Sequence, residues 1–282
     1  MSLKSTLKSQ LFKFAERALK VHITPVHFYS PIPQLSDIDP SSYDKINDCV
    51  GLDFQETSQT NFVDDVEAKY ASEFSPSENI GLSKMDAYIL YSMIRNKKPK
   101  LFIEIGSGES TKISLNALQA NQAEGHHYKF IAVEPYPKQY LRELESDNFS
   151  LKVNKVQEIP LSVFQNADIL FIDSSHVSKI DSDVNYEMLE IVPSMKVGSI
   201  IHWHDIMIPG DYPKSWVENN HIFWNESYMV HTFMLFNKAF KIIWASKYMQ
   251  IKYPELLSQK FPFFSPDDSN QQMSSFWIER IA

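Results

Sequence analysis

Leu101-Phe102-Ile103-Glu104-Ile105-Gly106-Ser107-Gly108-Glu109-Ser110 is the stretch whose reading decides the fold. Four of its first five residues are apolar, the signature of a strand buried on both faces. The strand ends at a turn with two glycines one residue apart, in a chain that has only 7 glycines among its 282 residues. A helix-like segment, 109–120, follows. A strand–Gly-x-Gly–helix unit brings backbone N–H groups and a helix N-terminus close to a ligand, because glycine has no side chain to block the approach. Such a unit is the usual entrance to a nucleotide-type site in a doubly wound α/β sheet.

On either side of this unit the chain alternates in the same way. Residues 87–94 read as a mostly buried helix, 129–134 as a second strand, 137–146 as a helix and 150–153 as a short strand. Residues 167–173 form a fourth strand, 182–192 a helix and 198–204 a fifth strand. A helix near 226–236 and strands at 240–245 and 274–280 complete the series. This spacing predicts a mostly parallel sheet with helices on both faces. Residues 1–80 lack a clear period. Leu11, Phe12, Phe14, Ala15 and Leu19 would line one face of a first helix, and Pro25, Pro31 and Pro33 then break the chain. A helix-like stretch at 62–70 lies in an acidic segment rich in Asp, Ser and Asn. With few apolar residues for a core of its own, 1–80 reads as an N-terminal cap on an α/β domain spanning 81–282.

Composition bounds the partners. The formal net charge is −8 and no Lys/Arg-rich patch stands out, which argues against nucleic acid. Cys49 is the single cysteine, so an intrachain disulfide is excluded and a reducing compartment, by default the cytoplasm, is expected. The start is Lys-rich and amphipathic without a signal-peptide core, and no run approaches the roughly 18 apolar residues of a bilayer span, so no membrane partner is expected. A homo-oligomer is left open.

Acidic residues indicate which nucleotide the turn would hold. Read as Gly-x-Gly-x-x-Gly, the motif has Thr111 where its third glycine should be. Glu104 and Glu109 flank the turn and would repel a pyrophosphate. S-adenosylmethionine, with an ammonium and a sulfonium, would welcome them. Glu109 has a plain alternative as a first-turn acid on the helix dipole. Glu104 sits inside an apolar strand, where an unpaired charge is costly. In Ile131-Ala132-Val133-Glu134-Pro135, Glu134 ends the second strand, where an acid accepts both ribose hydroxyls of an adenosine. Its alternative is a surface glutamate before a turn. Tyr136 would cover the adenine face, and Gln157 and Glu158 fall where a loop would reach the adenine edge.

Glu104-Ile105-Gly106-Ser107-Gly108, the Glu134 strand end and Asp168–Asp173 together resemble the class I S-adenosylmethionine-dependent methyltransferases, over about residues 80–282. The resemblance implies a Rossmann-like, doubly wound, mostly parallel seven-stranded sheet with an antiparallel last strand at 274–280. It further implies that Glu104, Gly106, Ser107 and Gly108 bind the cofactor and that Glu134 binds its ribose. Asp173 would touch the cofactor and face the reaction side.

The chemistry-bearing residues beyond the cofactor lie in Phe171-Ile172-Asp173-Ser174-Ser175-His176 and Ile201-His202-Trp203-His204-Asp205. On a strand, His202 and His204 point to one face and Trp203 to the other. Asp173, His204 and Asp205 are candidate ligands for a divalent cation, magnesium or calcium, which would hold a substrate hydroxyl and lower its pKa. The arrangement resembles metal-dependent small-molecule O-methyltransferases, including those acting on sugars, although His204 departs from an all-carboxylate set. A metal-free version has His204 or His176 as general base. Each histidine has the alternative of being a satisfied core residue, and His126-His127 read as solvated. The excursion after the fifth strand carries Pro209, Tyr212-Pro213, Trp216 and Phe223-Trp224, which suit an apolar or sugar-like acceptor or pack the cap onto the sheet. With His27–Pro33 it resembles a bacterial methyltransferase-like group. The expected function is transfer of a methyl group from S-adenosylmethionine to a small-molecule hydroxyl. Its rivals are an NAD(P)-dependent oxidoreductase, which shares the strand–glycine–strand–acid layout, and a non-catalytic cofactor-binding member of the same fold.

Overall fold

The strand read at 101–105 lies in the middle of a seven-stranded sheet in the computed structural model, which describes residues 3–76, 81–266, 268 and 272–282. The strands are β1 (Leu101–Ile105), β2 (Lys129–Val133), β3 (Phe149–Lys152), β4 (Ile169–Ile172), β5 (Ile200–Trp203), β6 (Phe240–Ala245) and β7 (Phe276–Arg280). Their spatial order is β3-β2-β1-β4-β5-β7-β6. β1 to β5 pair in parallel, and β7 lies antiparallel between β5 and β6. This is the Rossmann-like sheet with an antiparallel last strand expected from the sequence. The winding reverses between β1 and β4, which opens a crevice at the carboxyl ends of those strands.

The α-helices are α1 (Leu3–Phe14), α2 (Glu56–Tyr70), α3 (Lys84–Lys97), α4 (Glu109–Ala123), α5 (Gln139–Glu143), α6 (Asp183–Tyr186), α7 (Val192–Ser194), α8 (Glu226–Met234), α9 (Ser246–Lys252) and α10 (Pro254–Lys260). A π-helical turn, Glu187–Ile191, joins α6 to α7 within the helix expected at 182–192. α9 and α10, between β6 and β7, have no counterpart among the elements expected from the sequence. Four strands, β2 to β5, each stop one residue earlier than expected. β4 ends at Ile172 and β5 at Trp203, which leaves Asp173 and the His204-Asp205 pair just beyond the sheet.

Alternating strand residues supply the two faces of the core. Phe102, Phe130 and Phe149 on adjacent strands pack edge to face, with ring centroids 4.8 and 4.9 Å apart. They share a cluster with Ile89 and Ile94 of α3 and Leu118 of α4. Ile103, Ile105, Leu170, Ile172 and Trp203 face the opposite side, with Val184, Ile191 and Val230. Each such side chain, fully buried, contributes about 1.5–3 kcal/mol. α2 places Val63 and Val66 in the first cluster, whereas Leu11, Phe14, Leu19 and Phe28 nearer the N-terminus are exposed.

The start of α3 is tied to the far edge of the sheet through a buried carboxylate. Asp86 accepts from Ser83 Oγ (2.7 Å), Ser246 Oγ (2.5 Å), and the Ser274 and Ser275 N–H groups (2.9 and 3.2 Å). Four donors surround one side chain. Among the described residues no helix is long and apolar enough to cross a membrane.

Candidate active site

The glycine turn is shaped by a close approach of backbone. Gly106 has φ +78°, donates its N–H to Val133 O (3.0 Å), and sits so near β4 that a Cβ would lie 1.8 Å from Asp173 O. No other residue fits there. Gly108 carries no such demand, since a Cβ would meet nothing within 4 Å. Thr111, at the position of the missing third glycine, holds the turn with its hydroxyl. That hydroxyl accepts from Gly108 N–H (3.2 Å) and donates to Glu104 Oε2 (2.6 Å).

Glu104 therefore lies behind the loop and braces it. It is fully buried, and its other oxygen accepts from Ser110 Oγ at 2.6 Å. Burial pushes its carboxyl up to about 8, against the two hydroxyls that favour the charged form. Glu109 is paired with Lys112 at 2.9 Å, as a first-turn acid would be.

In front of the loop is a cavity of about 420 Å³. Gly106, Glu134, Tyr136, Gln157 and Asp173 are among the residues that line it. Glu134, one residue past β2, is pinned by two backbone donors: Ser107 N–H at 3.2 Å and Tyr136 N–H at 2.7 Å. The Tyr136 ring is 82% exposed, so it stands free at the cavity rim. Gln157 Nε2 donates to Asp181 O (2.9 Å), which commits its amide to the opposite wall.

Beside this cavity, at the ends of β4 and β5, Asp173, His176 and Asp205 bring one ligand atom each within 4.8 Å of one another. His176 Nε2 is 3.3 Å from Asp173 Oδ1 and 3.6 Å from Asp205 Oδ2, while Nδ1 is 2.9 Å from Glu226 Oε2. Both His176 (φ +59°) and Asp205 (φ +56°) adopt the left-handed conformation, an uncommon state for such residues that clusters at functional sites. Burial opposes charge on His176, but Asp173, Glu226 and Asp205 outweigh it and push the imidazole up to about 11. Burial likewise disfavours the Asp173 carboxylate, and His176 and His204 more than offset it, leaving Asp173 below its usual range.

More acid lies behind. Glu226 and Glu187 are buried, and Oε1 of each has no hydrogen-bond partner among the described residues. Glu187 Oε2 accepts from Ser174 Oγ (3.0 Å). Burial, then repulsion from Glu226 and Asp183, raises Glu187 well above the ordinary carboxylate range.

His204, expected beside Asp173 and Asp205, stands outside this group, whose third member is His176. His204 is buried, with Nε2 3.5 Å from Ser274 Oγ and 3.7 Å from Asp205 Oδ1. His202 and His204 do share a face, their rings 5.9 Å apart. His202 is a core residue, stacked on Phe171 at 4.0 Å with Nε2 3.1 Å from Ser275 Oγ. Trp224 lies 4.3 Å from the His176 ring and meets Trp216 edge-on at 5.4 Å. Sequence reasoning missed Glu187 and Glu226, because an isolated helix acid carries no signal of what it will face. It also missed Asp86 for the same reason.

The strand order, the glycine turn beneath a cavity and an acid pinned at the end of β2 define a Rossmann-like nucleotide-cofactor protein. The methyltransferase-domain family model matches residues 103–206, from β1 to just past β5. Over 166 residues the chain is 30% identical to an uncharacterized protein of Archaeoglobus fulgidus, an alignment covering 51% of this chain and 73% of that relative. Residues 103–206 thus form a methyltransferase domain of the class I S-adenosylmethionine-dependent type. Among solved structures it is similar to the SAH-bound Podospora anserina methyltransferase PaMTH1 (TM-score 0.46, 12% identity, 81% of this chain and 94% of that one). It is also similar to the O-methyltransferase TomG of Streptomyces achromogenes in complex with SAM (TM-score 0.46, 10% identity, 77% and 96%). Likeness of this degree says nothing of the acceptor.

Proposed function

We propose that this methyltransferase acts on a hydroxyl of a small molecule and that Asp173, His176 and Asp205 hold a divalent cation beside the methyl donor. The observation that carries the reading is the convergence of these three side chains, one of which, Asp173, also lines the donor cavity. The residues fit both groups. For the donor, Gly106 lines the cavity, and Glu134 is already oriented by two N–H groups to accept ribose hydroxyls. Ser107 and Gly108 complete the turn. For the cation, the site offers two carboxylates and one imidazole, with carboxylate oxygens behind them that have no partner among the described residues. A mixed oxygen–nitrogen set suits manganese as well as magnesium.

S-adenosylmethionine supplies an electrophilic methyl group, and a divalent cation supplies positive charge that lowers the pKa of an acceptor hydroxyl. The chain's own part is placement. Asp173 stands between donor cavity and cation site, so an acceptor oxygen held there would be oriented toward the donor, which is where most of the rate would come from. Trp224 and Trp216 form a half-buried aromatic wall next to His176, suited to an apolar or sugar-like ring and to excluding water. Residues 1–80 would act as a cap: Asn47 donates from its backbone N–H (2.9 Å) and its side chain (3.2 Å) to Pro209 O, at the root of the excursion that bears those tryptophans.

The metal-free version is less well supported. Without a cation the carboxylates of Asp173, Glu226 and Asp205 keep His176 charged and make it a poor base, whereas a cation bound among them would displace that proton and leave Nε2 as a ligand. His204 is 4% exposed and out of reach of an acceptor. The test is a calorimetric titration of S-adenosylmethionine followed by a methyl-transfer assay over hydroxyl-bearing small molecules, each with manganese or with chelator. Donor binding and metal-dependent transfer are expected. Transfer that proceeds equally well in chelator would overturn the metal role.

A further inference from the structure

Glu226 lies 50 residues from His176 in sequence, at the first position of α8, yet α8 is fastened to the His176 loop at several points. His176 O accepts from the N–H groups of both Asn225 (3.1 Å) and Glu226 (3.2 Å). Asn225 Oδ1 accepts from Ser178 N–H (2.6 Å), and Asn225 Nδ2 donates to Ser178 O (3.3 Å). The Glu226 carboxylate then reaches His176 Nδ1 at 2.9 Å, while Trp224 packs 4.3 Å from the ring. The imidazole is thus gripped from its backbone, its face and one nitrogen, by three consecutive residues of one segment.

A carboxylate accepts, so Nδ1 donates its N–H to Glu226, and the other nitrogen, Nε2, is aimed at Asp173 and Asp205, where a cation would take the place of the proton those two carboxylates otherwise hold on it. An imidazole whose far nitrogen is fixed by a carboxylate has its tautomer and ring angle set, and its free nitrogen is a stronger donor to a cation. Glu226 is 1% exposed and its second oxygen has no partner among the described residues, so solvent does not supply this hydrogen bond and no competing donor draws the carboxylate away.

We propose that Glu226 is the positioning residue of the cation site: through Nδ1 it holds His176 with Nε2 presented between Asp173 and Asp205, and it thereby sets the affinity of the site. This rests on the cation reading given above. Because α8 closes the excursion that carries Trp216 and Trp224, the same contact ties the aromatic wall to the metal ligands.

Manganese binding to the full chain, measured calorimetrically and by the loss of the free-ion EPR signal, tests this with Glu226→Gln and Glu226→Ala. Glutamine keeps an acceptor of the same shape without the charge, and circular dichroism checks that both variants fold. Removing such a supporting partner is expected to weaken manganese binding about 10–100-fold in the alanine variant, and less in the glutamine variant. Long-range ¹H–¹⁵N spectra of His176, taken with diamagnetic magnesium in place of manganese, should show the Nδ1-protonated tautomer in the metal-loaded wild type and lose that preference in Glu226→Ala. Wild-type protein that takes up no manganese at millimolar concentration would sink the cation reading and this role with it. Wild-type protein that binds, with folded variants that bind as tightly and keep the tautomer, would overturn the Glu226 role alone.

Discussion

Two buried acidic networks sit side by side at the carboxyl edge of the sheet, and they are built on opposite plans. Around Asp86, one carboxylate receives four donors, two hydroxyls and two backbone N–H groups. Around His176, the carboxylates of Asp173, Asp205 and Glu226 share one imidazole, and Glu187 stands close by with an oxygen that has no partner among the described residues. They meet at Ser274, whose N–H donates to Asp86 (2.9 Å) and whose hydroxyl donates to Asp205 (3.1 Å). A buried charge with all its bonds made stabilises a fold, while a surplus of buried negative charge does not and asks for a cation. The first network is closed and joins α3 to β7 and α9. The second is open and faces the donor cavity.

Several substitutions would break or sharpen this contrast. Asp86→Ala should have the largest effect on stability, a loss of about 4 kcal/mol in denaturant unfolding, because several buried donors are left unpaired at once. Asp205→Asn should leave unfolding nearly unchanged but cut metal-dependent methyl transfer roughly 100-fold, about 3 kcal/mol of lost charge stabilisation. A stability loss there as large as that of Asp86→Ala would mean the two networks do not differ in kind. Glu134→Ala should weaken S-adenosylmethionine binding by about 1.5–3 kcal/mol in calorimetry, through lost hydrogen bonds to a charged group. Normal binding would remove Glu134 from the ribose.

The smallest effect is expected at Glu187, and its sign is the informative part. Its carboxyl is raised above the ordinary value by burial and by neighbouring acids, so the folded chain binds more protons than the unfolded one. The stability this proton confers is full below the unfolded pKa and is lost as pH rises through the folded value. Glu187→Gln, melted in chelator, should therefore gain on the wild type as pH rises, reaching about 1 kcal/mol at alkaline pH. A variant that loses stability at every pH would show that the second network is closed after all.

Much of the sheet is legible in the sequence because its signals are local. Apolar runs ending in Gly106 or Glu134 mark strands and their ends, and only glycine satisfies the 1.8 Å approach to Asp173 O. The site is less so. His204 is adjacent to Asp205 in sequence, which suggested a shared ligand role. The left-handed φ of Asp205 breaks the alternation of β5 and turns its carboxylate toward His176, itself in a left-handed turn. Positive φ at a residue other than glycine leaves no mark in composition or period. Thr111 shows the converse: a gap in the glycine motif is filled by a hydroxyl that bridges Gly108 and Glu104, a compensation that exists only in three dimensions. The link from Glu226 to His176 spans 50 residues of sequence, and no spacing rule covers that distance.

The central claim is that the open network is a cation site next to the donor cavity. Anomalous diffraction from crystals grown with manganese tests it most directly. The expected result is a single strong peak at roughly 2.0–2.3 Å from His176 Nε2 and from a carboxylate oxygen of both Asp173 and Asp205, distances typical of nitrogen and oxygen ligation of small divalent ions. A map with no peak there, and with His176 still paired to the two carboxylates, would contradict it.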